Sequence, residues 1–132
     1  NVKALVLPDD EYLLVTVHFY YNTAHESEFA DCENKLTLKD KKEIYDTFRL
    51  LYDNFVSKGI GVVNGEFGWT DRENKGNLRE KARFYVETAS KFGIPCFVWD
   101  NGESFRLFNR ETMYREYGFY IQSIVRASEL YE

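Results

Sequence analysis

The sequence predicts an α/β fold in which short parallel strands alternate with helices. Three apolar segments are each followed by a polar stretch and then by residues at helical spacing, and they span 12–18, 60–63 and 94–99. The first of them shows no alternation of apolar and polar residues, which is typical of a strand covered on both faces. The junctions Ser57–Ile60 and Ser90–Ile94 repeat one helix-to-strand pattern, so we expect the order β-α-β-α-β-α with right-handed crossovers.

Each predicted helix has its own boundary signals. Thr37 and Asp40 have the spacing of a helix start, because a threonine side chain can accept from the first-turn N–H groups and an acidic residue suits that end of the dipole. Gly59 is expected to stop this first helix in the left-handed conformation. The second helix is expected to begin with Asn77 as its cap and to stop at Gly93. The third is predicted over roughly 112–130, with these residues facing inward: Tyr117, Tyr120, Ile121, Ile124 and Val125.

Composition restricts the class of protein. The chain has 132 residues, with 17 Lys+Arg against 22 Asp+Glu and a formal net charge of −5. This length predicts a single domain with its own core, and the acidic balance argues against nucleic acid or an anionic membrane as the main partner. No apolar run approaches the roughly 20 residues of a membrane span.

The termini and cysteines add little to these bounds. Because the chain begins with Asn1, either a signal peptide has been removed or the chain is a piece of something longer. Cys32 and Cys96 lie in a polar loop and an apolar strand, and both are expected to be free thiols.

Residue types suited to chemistry follow all three predicted strands. The strands end in His18-Phe19-Tyr20, Gly65-Glu66-Phe67-Gly68 and Trp99-Asp100-Asn101-Gly102. Because ligands gather at the carboxyl ends of the strands in parallel α/β sheets, the three endings predict one shared cleft.

Each of these residues also has a structural interpretation. Glu66 could pair with a Lys or Arg, His18 could be a partly buried hydrogen-bonded histidine, and Tyr20 and Trp99 could cap the core. No phosphate-binding glycine loop, metal-ligand spacing or nucleophile elbow is present, so neither a cofactor nor a metal is expected. A flavodoxin-like nucleotide binder shares the βαβ order, but the strand ends lack its phosphate-cradling loops.

Together the three endings resemble glycoside hydrolase family 5, the large cellulase family with a (β/α)8 barrel. They match that family's His-x-Tyr, Gly-Glu-Phe-Gly and Trp-Asp-Asn-Gly motifs at the ends of strands six, seven and eight, and the resemblance extends from about Ala4 to the end of the chain. It implies that residues 1–132 are the C-terminal part of one barrel domain, a parallel βαβαβα segment equivalent to strands six to eight. It also implies a secreted, extracellular enzyme acting on β-1,4-glucan.

The resemblance implies a role for each site residue. Glu66 corresponds to the nucleophile of a retaining endoglucanase, Tyr20 is expected to hydrogen-bond it, and His18 is expected to contact the sugar or the acid/base carboxylate. Trp99, Asn101 and Trp69 are expected to bind substrate.

The sequence also departs from the family pattern. The acid/base carboxylate belongs to an Asn-Glu-Pro motif at the end of strand four, and this chain has no Asn-Glu dipeptide. Asn64 stands where an apolar strand residue is usual. Three strands cannot close a barrel, so the missing barrel segment or a second copy of this chain is expected to cover the open edges. The resemblance adds β-glucan as the expected substrate partner. The alternative is a catalytically silent fragment or carbohydrate-binding remnant.

Overall fold

The structure, a computed structural model, describes residues 2–21, 36–70, 75–115 and 117–129. Strand β1 (Leu14–His18), helix α1 (Leu38–Asn54), strand β2 (Gly61–Phe67), helix α2 (Lys75–Lys91), strand β3 (Cys96–Val98) and helix α3 (Gly118–Ser128) follow one another along the chain. The strands form one parallel sheet in the order β1-β2-β3. The predicted βαβαβα order is therefore confirmed.

Helix α1 begins where the sequence predicts, but it ends at Asn54, before the predicted stop at Gly59. The Thr37 hydroxyl accepts from the Asp40 N–H at 3.1 Å, and the Thr37 N–H donates to the Asp40 carboxylate at 2.7 Å, which is a complete capping box. After α1 the turn Val56–Lys58 continues as a 3-10 helix, and Gly59 ends it with φ 84°. Gly93 likewise follows α2 with φ 67°.

Two helix starts differ from the prediction. Helix α2 begins at Lys75, so Asn77 lies inside its first turn and the predicted cap at Asn77 is wrong. Helix α3 begins at Gly118 rather than near residue 112. Phe108 and Arg115 pair there as an antiparallel bridge, and Met113 has φ 56°, which is incompatible with a right-handed helix.

Helix α3 packs on α2 through a face shifted from the predicted one. Its buried residues are Tyr120, Ser123 and Ala127, whereas Val125 is 48% exposed and was wrongly expected to face inward. Small side chains at 123 and 127 permit close approach to α2, so this stripe and not the most apolar one faces the core.

One face of the sheet is covered by the helices and the other is open. Val15 and Val62 point into the core with 7% and 2% exposure, whereas Leu14 and Phe97 are 55% and 59% exposed. Within the described part of the chain, the expected cover on both faces of β1 is therefore present on one face alone. The core contains a cluster of aromatic rings around Tyr85, formed by Phe19, Phe48, Phe67 and Trp69.

The two cysteines differ in what the structure says of them. Cys96 is a free thiol, as predicted, and burial raises its pKa to about 12, although a hydrogen bond from Asn64 opposes the shift. Cys32 lies outside the described residues.

Candidate active site

Glu66 lies next to the last residue of β2, directly beside the end of β1. Its neighbour Gly65 allows the two strands to meet there, because a Cβ at position 65 would lie 2.9 Å from Thr16 Oγ1 and 3.3 Å from His18 Nε2. The glycine therefore makes room for side chains of β1 and keeps the histidine close to the carboxylate.

Within the part of the chain that the structure describes, Glu66 has two polar partners, both from the strand-end motif predicted for β1. The Tyr20 hydroxyl donates to Glu66 Oε2 at 2.7 Å, and His18 Nδ1 lies 3.4 Å from the same oxygen. Among the described residues, Glu66 thus pairs with a histidine and a phenol rather than with the Lys or Arg of the structural interpretation. The His18 side chain is 52% exposed, so its structural interpretation as a partly buried histidine does not apply.

The phenol of Tyr20 is a permanent hydrogen-bond donor at ordinary pH. Burial, the hydrogen bond to Glu66 and the negative charge of Glu66 raise the pKa of Tyr20 from 10.0 to about 12. The ring packs edge-on against Phe105, with ring centres 5.7 Å apart. Tyr20 is therefore held in place by one polar and one apolar contact.

The loop after β3 reaches back over the site through Phe105. A Cβ on Gly68 would lie 3.0 Å from the Phe105 ring, so the glycine of the second motif leaves space for that ring. Phe105 thus joins the three strand ends into one site. Sequence reasoning missed it, because no local pattern marks an aromatic residue in this loop as a neighbour of Tyr20.

Asp100 and Asn101 shape this same loop. Asp100 accepts from the N–H groups of Gly102 at 2.7 Å and Leu107 at 3.0 Å. Burial by itself would raise the pKa of Asp100, but these donors and the Arg110 guanidinium at 3.4 Å outweigh it and lower the pKa. Asn101 Oδ1 accepts two further N–H groups of the loop, from Glu103 and Phe105.

The two tryptophans predicted to bind substrate lie in different environments. Trp99 follows β3 and donates its backbone N–H to Phe67 O at 2.8 Å. Because the residue is 40% exposed, its side chain is accessible at the strand ends. Trp69 is 4% exposed and donates its indole N–H to Tyr21 O at 2.6 Å. The structure does not bring Trp69 to the cleft, and its burial is at odds with the predicted sugar contact.

The described residues lack two kinds of structural feature. They contain no group of three or more His, Cys, Asp or Glu side chains placed to hold a metal ion. They also contain no helix with the length and apolarity that crossing a membrane requires.

Solved structures match the fold and the order of its elements. A broad-specificity endoglucanase of subfamily GH5-4 from Clostridium cellulovorans superposes with a TM-score of 0.85 at 32% identity, over 96% of this chain and 40% of its own. A second such enzyme, from Ruminococcus champanellensis with bound cellotriose, superposes with a TM-score of 0.76 at 27% identity, over 93% of this chain and 38% of its own. The chain is therefore part of a (β/α)8 barrel, as its sequence predicts.

Curated relatives agree with the structural neighbours. The chain is 37% identical over 119 residues to endoglucanase 1 of Ruminococcus albus, across 83% of this chain and 28% of the relative. It is 31% identical over 125 residues to endoglucanase B of Neocallimastix patriciarum, across 89% of this chain and 26% of the relative. The chain thus spans about a quarter of the length of these relatives. Residues 1–104 match the family model described as cellulase (glycosyl hydrolase family 5), and the chain belongs to this family.

Proposed function

We propose that this chain supplies the nucleophile of a retaining endo-β-1,4-glucanase that hydrolyses cellulose-like β-glucan, with Glu66 as that nucleophile. The observation that carries the proposal is the 2.7 Å hydrogen bond from Tyr20 to a glutamate at a parallel strand end. The relatives named as endoglucanases and the neighbour with bound cellotriose support a glucan as substrate. Extracellular localisation is part of the same proposal.

The reaction needs a second carboxyl group. In a retaining glycosidase the two carboxyls lie about 5–5.5 Å apart. Glu66 attacks the anomeric carbon while the glycosidic C–O bond breaks, and the second group gives its proton to the departing oxygen. Water, deprotonated by that same group, then displaces Glu66 and restores both carboxyls. The second group belongs to the barrel segment that lies outside this chain.

The neighbours of Glu66 have complementary roles in this scheme. Tyr20 keeps one carboxylate oxygen fixed, so that the other is directed to the sugar. His18 is exposed beside Glu66 and is placed to contact the sugar or the acid/base group. The ring of Trp99 packs beneath the cleaved sugar. The Asn101 oxygen is occupied by the loop and one amide N–H donates to Ser104 Oγ at 3.4 Å, so the second N–H is the donor offered to substrate.

A barrel must be completed around this segment. Residues 1–132 form the C-terminal part of one catalytic domain, with an open sheet face that exposes Leu14 and Phe97. Strands β1 and β3 each have a neighbour on one side within the described residues. The missing barrel segment, or else a second copy of this chain, covers this face and both edges.

Substitution of Glu66 tests the assignment. In the complete catalytic domain that contains this chain, Glu66→Gln should lower kcat by at least about 10³-fold, because the amide is a poor nucleophile. Glu111→Gln removes an exposed carboxylate outside the three strand-end motifs and should leave kcat unchanged. A 2-fluoro cellobioside with a good leaving group should label the peptide that contains Glu66. Substantial turnover by Glu66→Gln, or a label elsewhere, would reject the nucleophile.

The second candidate function is a silent, carbohydrate-binding fragment, favoured by the lack of an Asn-Glu motif in this chain. An activated aryl cellobioside separates the two, because its leaving group needs little help from an acid. Incubated with this chain alone, it should release one equivalent of phenol if Glu66 and Tyr20 suffice for the first step. Sugar binding with no release would favour the silent fragment.

A further inference from the structure

Asn64 and Tyr85 form a polar pair in the middle of the aromatic core. Both side chains are fully buried, with 0% exposure. Asn64 Nδ2 donates to the Tyr85 hydroxyl at 2.9 Å. The asparagine is the residue that departs from the apolar pattern expected of a central strand, so its presence calls for a specific reason.

Both members of the pair bind the backbone of one residue, Phe19. The Phe19 N–H donates to Asn64 Oδ1 at 3.0 Å, and the Tyr85 hydroxyl donates to the Phe19 carbonyl. The three hydrogen bonds close a ring in which every donor has an acceptor. The Phe19 side chain packs against the Tyr85 ring, with ring centres 5.5 Å apart. The backbone of Phe19 is therefore held at both of its polar groups.

The pair acts where the regular ladder between β1 and β2 is interrupted. Val17 is opposite Asn64, but His18 is opposite Glu66, so Gly65 is skipped in the register. An interruption of this kind leaves backbone groups beyond it without their regular partners. Asn64 provides the acceptor for Phe19 directly after the shift, and an apolar side chain at this position could not.

Phe19 lies between the two residues that contact Glu66. We propose that Asn64 and Tyr85 are positioning residues, which fix the backbone of Phe19 and thereby direct His18 and Tyr20 toward Glu66. The pair reaches the active site through the two peptide units that flank Phe19, which join it to His18 and Tyr20, and contacts Glu66 at neither of its own side chains. This inference rests on the proposed function, since it assigns a purpose to the placement of Tyr20 beside the nucleophile.

The residue on the other side of Tyr20 is held as well. Tyr21 accepts the Trp69 indole N–H at its carbonyl and donates its hydroxyl to Asp40 at 2.8 Å. Phe19 and Tyr21, the residues on either side of Tyr20, are thus both hydrogen-bonded to buried side chains of the core. Because both neighbours are fixed, the backbone of Tyr20 is fixed as well, and its hydroxyl is held at 2.7 Å from Glu66.

A double-mutant cycle between Tyr85 and Tyr20 tests the proposal in the complete catalytic domain. Tyr85→Phe keeps the ring and removes the hydroxyl that bonds Phe19 and Asn64. It should lower kcat by about 10-fold, since small misplacements at a reacting centre are costly, and should leave KM within about twofold. In the Tyr20→Phe background the same change should lower kcat by clearly less than 10-fold, because one of the two contacts that it positions is already absent and only that of His18 remains. Tyr52→Phe, a core tyrosine outside this ring of bonds, is the matched control.

The outcomes separate positioning from mere stability. If Tyr85→Phe lowers the melting temperature but leaves kcat intact at a temperature where it is folded, the proposal is wrong. It is equally wrong if the losses of kcat multiply fully in the double mutant. Asn64→Leu should reproduce the kcat loss of Tyr85→Phe, and provides a second route should one variant fail to fold.

A crystal structure of Tyr85→Phe gives a readout that does not depend on activity. The proposal expects the Tyr20–Glu66 distance to exceed hydrogen-bonding range or the Tyr20 ring to adopt several positions. An unchanged 2.7 Å contact would overturn it, even if Glu66 is the nucleophile. Conversely, turnover by Glu66→Gln would reject the proposed function while leaving this structural test intact.

Discussion

Replacing Tyr20 by Phe removes the hydroxyl that donates to Glu66 Oε2. The O–H···O distance of 2.7 Å is that of a hydrogen bond to a charged acceptor, which contributes roughly 1.5–3 kcal/mol. Tyr20 is 37% exposed, so water competes for the carboxylate and the lower part of this range applies. A loss of about 1.5–2 kcal/mol corresponds to a rate decrease of about 10- to 30-fold.

The glycosylation step is the one to measure. Stopped-flow release of dinitrophenol from an activated cellobioside follows the attack of Glu66 with little contribution from the acid, so the effect on the nucleophile is isolated. Tyr20→Phe in the complete catalytic domain should slow this phase by the stated factor and lower the melting temperature by no more than a few degrees. Tyr12→Phe is the matched control, because Tyr12 is 87% exposed and distant from the site along β1.

A glycosylation rate within twofold of the wild type would refute this reasoning. It would mean that Glu66 is held by other contacts, of which the described structure offers His18 at 3.4 Å. A loss much greater than 100-fold would refute it in the opposite direction, since a single half-exposed hydrogen bond cannot account for so large an effect.

Three further substitutions test the surroundings of the site. Asp100→Asn should destabilise the protein by about 1–2 kcal/mol at neutral pH, because Asp100 accepts two loop N–H groups as an anion. Since folding lowers the pKa of Asp100, its contribution is present above the unfolded value of about 4 and is lost as the pH falls through the folded value. Urea unfolding at pH 7 and pH 3 should therefore show the difference from the wild type shrinking at the lower pH, and an equal difference at both would contradict it. Trp69→Phe should lower the free energy of unfolding by about 1–3 kcal/mol and leave KM unchanged, whereas Trp99→Ala should raise KM with little effect on unfolding. If KM rises for Trp69→Phe instead, Trp69 contacts substrate after all.

The residues of the proposed chemistry could be predicted from the sequence because strand ends have a fixed place in parallel α/β folds. Glu66, Tyr20 and His18 were expected at one edge of the sheet and are found within hydrogen-bonding or ion-pairing distance there. The direction in which successive side chains of a strand point does not depend on distant residues. The position of these three residues could therefore be predicted once the strand ends were recognised. The capping box of Thr37 succeeded for the same reason, since its contacts are three residues apart.

Long-range packing explains what the sequence did not reveal. Trp69 follows the second motif directly, but its ring turns into the core because Tyr21 offers a buried carbonyl and Tyr85 offers a ring face. The role of Phe105 depends on the loop after β3 folding back onto Gly68, which no local pattern specifies. The register shift between β1 and β2 is likewise a property of the pair of strands and of neither sequence alone.

The two halves of the chemistry differ in how far this chain by itself determines them. The orientation of Glu66 depends on Tyr20, and Tyr20 depends on Phe105 and on the neighbours that hold Phe19 and Tyr21, all within the described residues. In the proposed mechanism, protonation of the leaving group depends on the carboxyl of the missing barrel segment. Nucleophilic attack should therefore be preorganised by this segment, whereas hydrolysis of an unactivated glucan requires the closed barrel. Completion of the barrel should therefore change how strongly the rate depends on the leaving group. This segment alone should react with activated glycosides, and the closed barrel should extend the reaction to poor leaving groups.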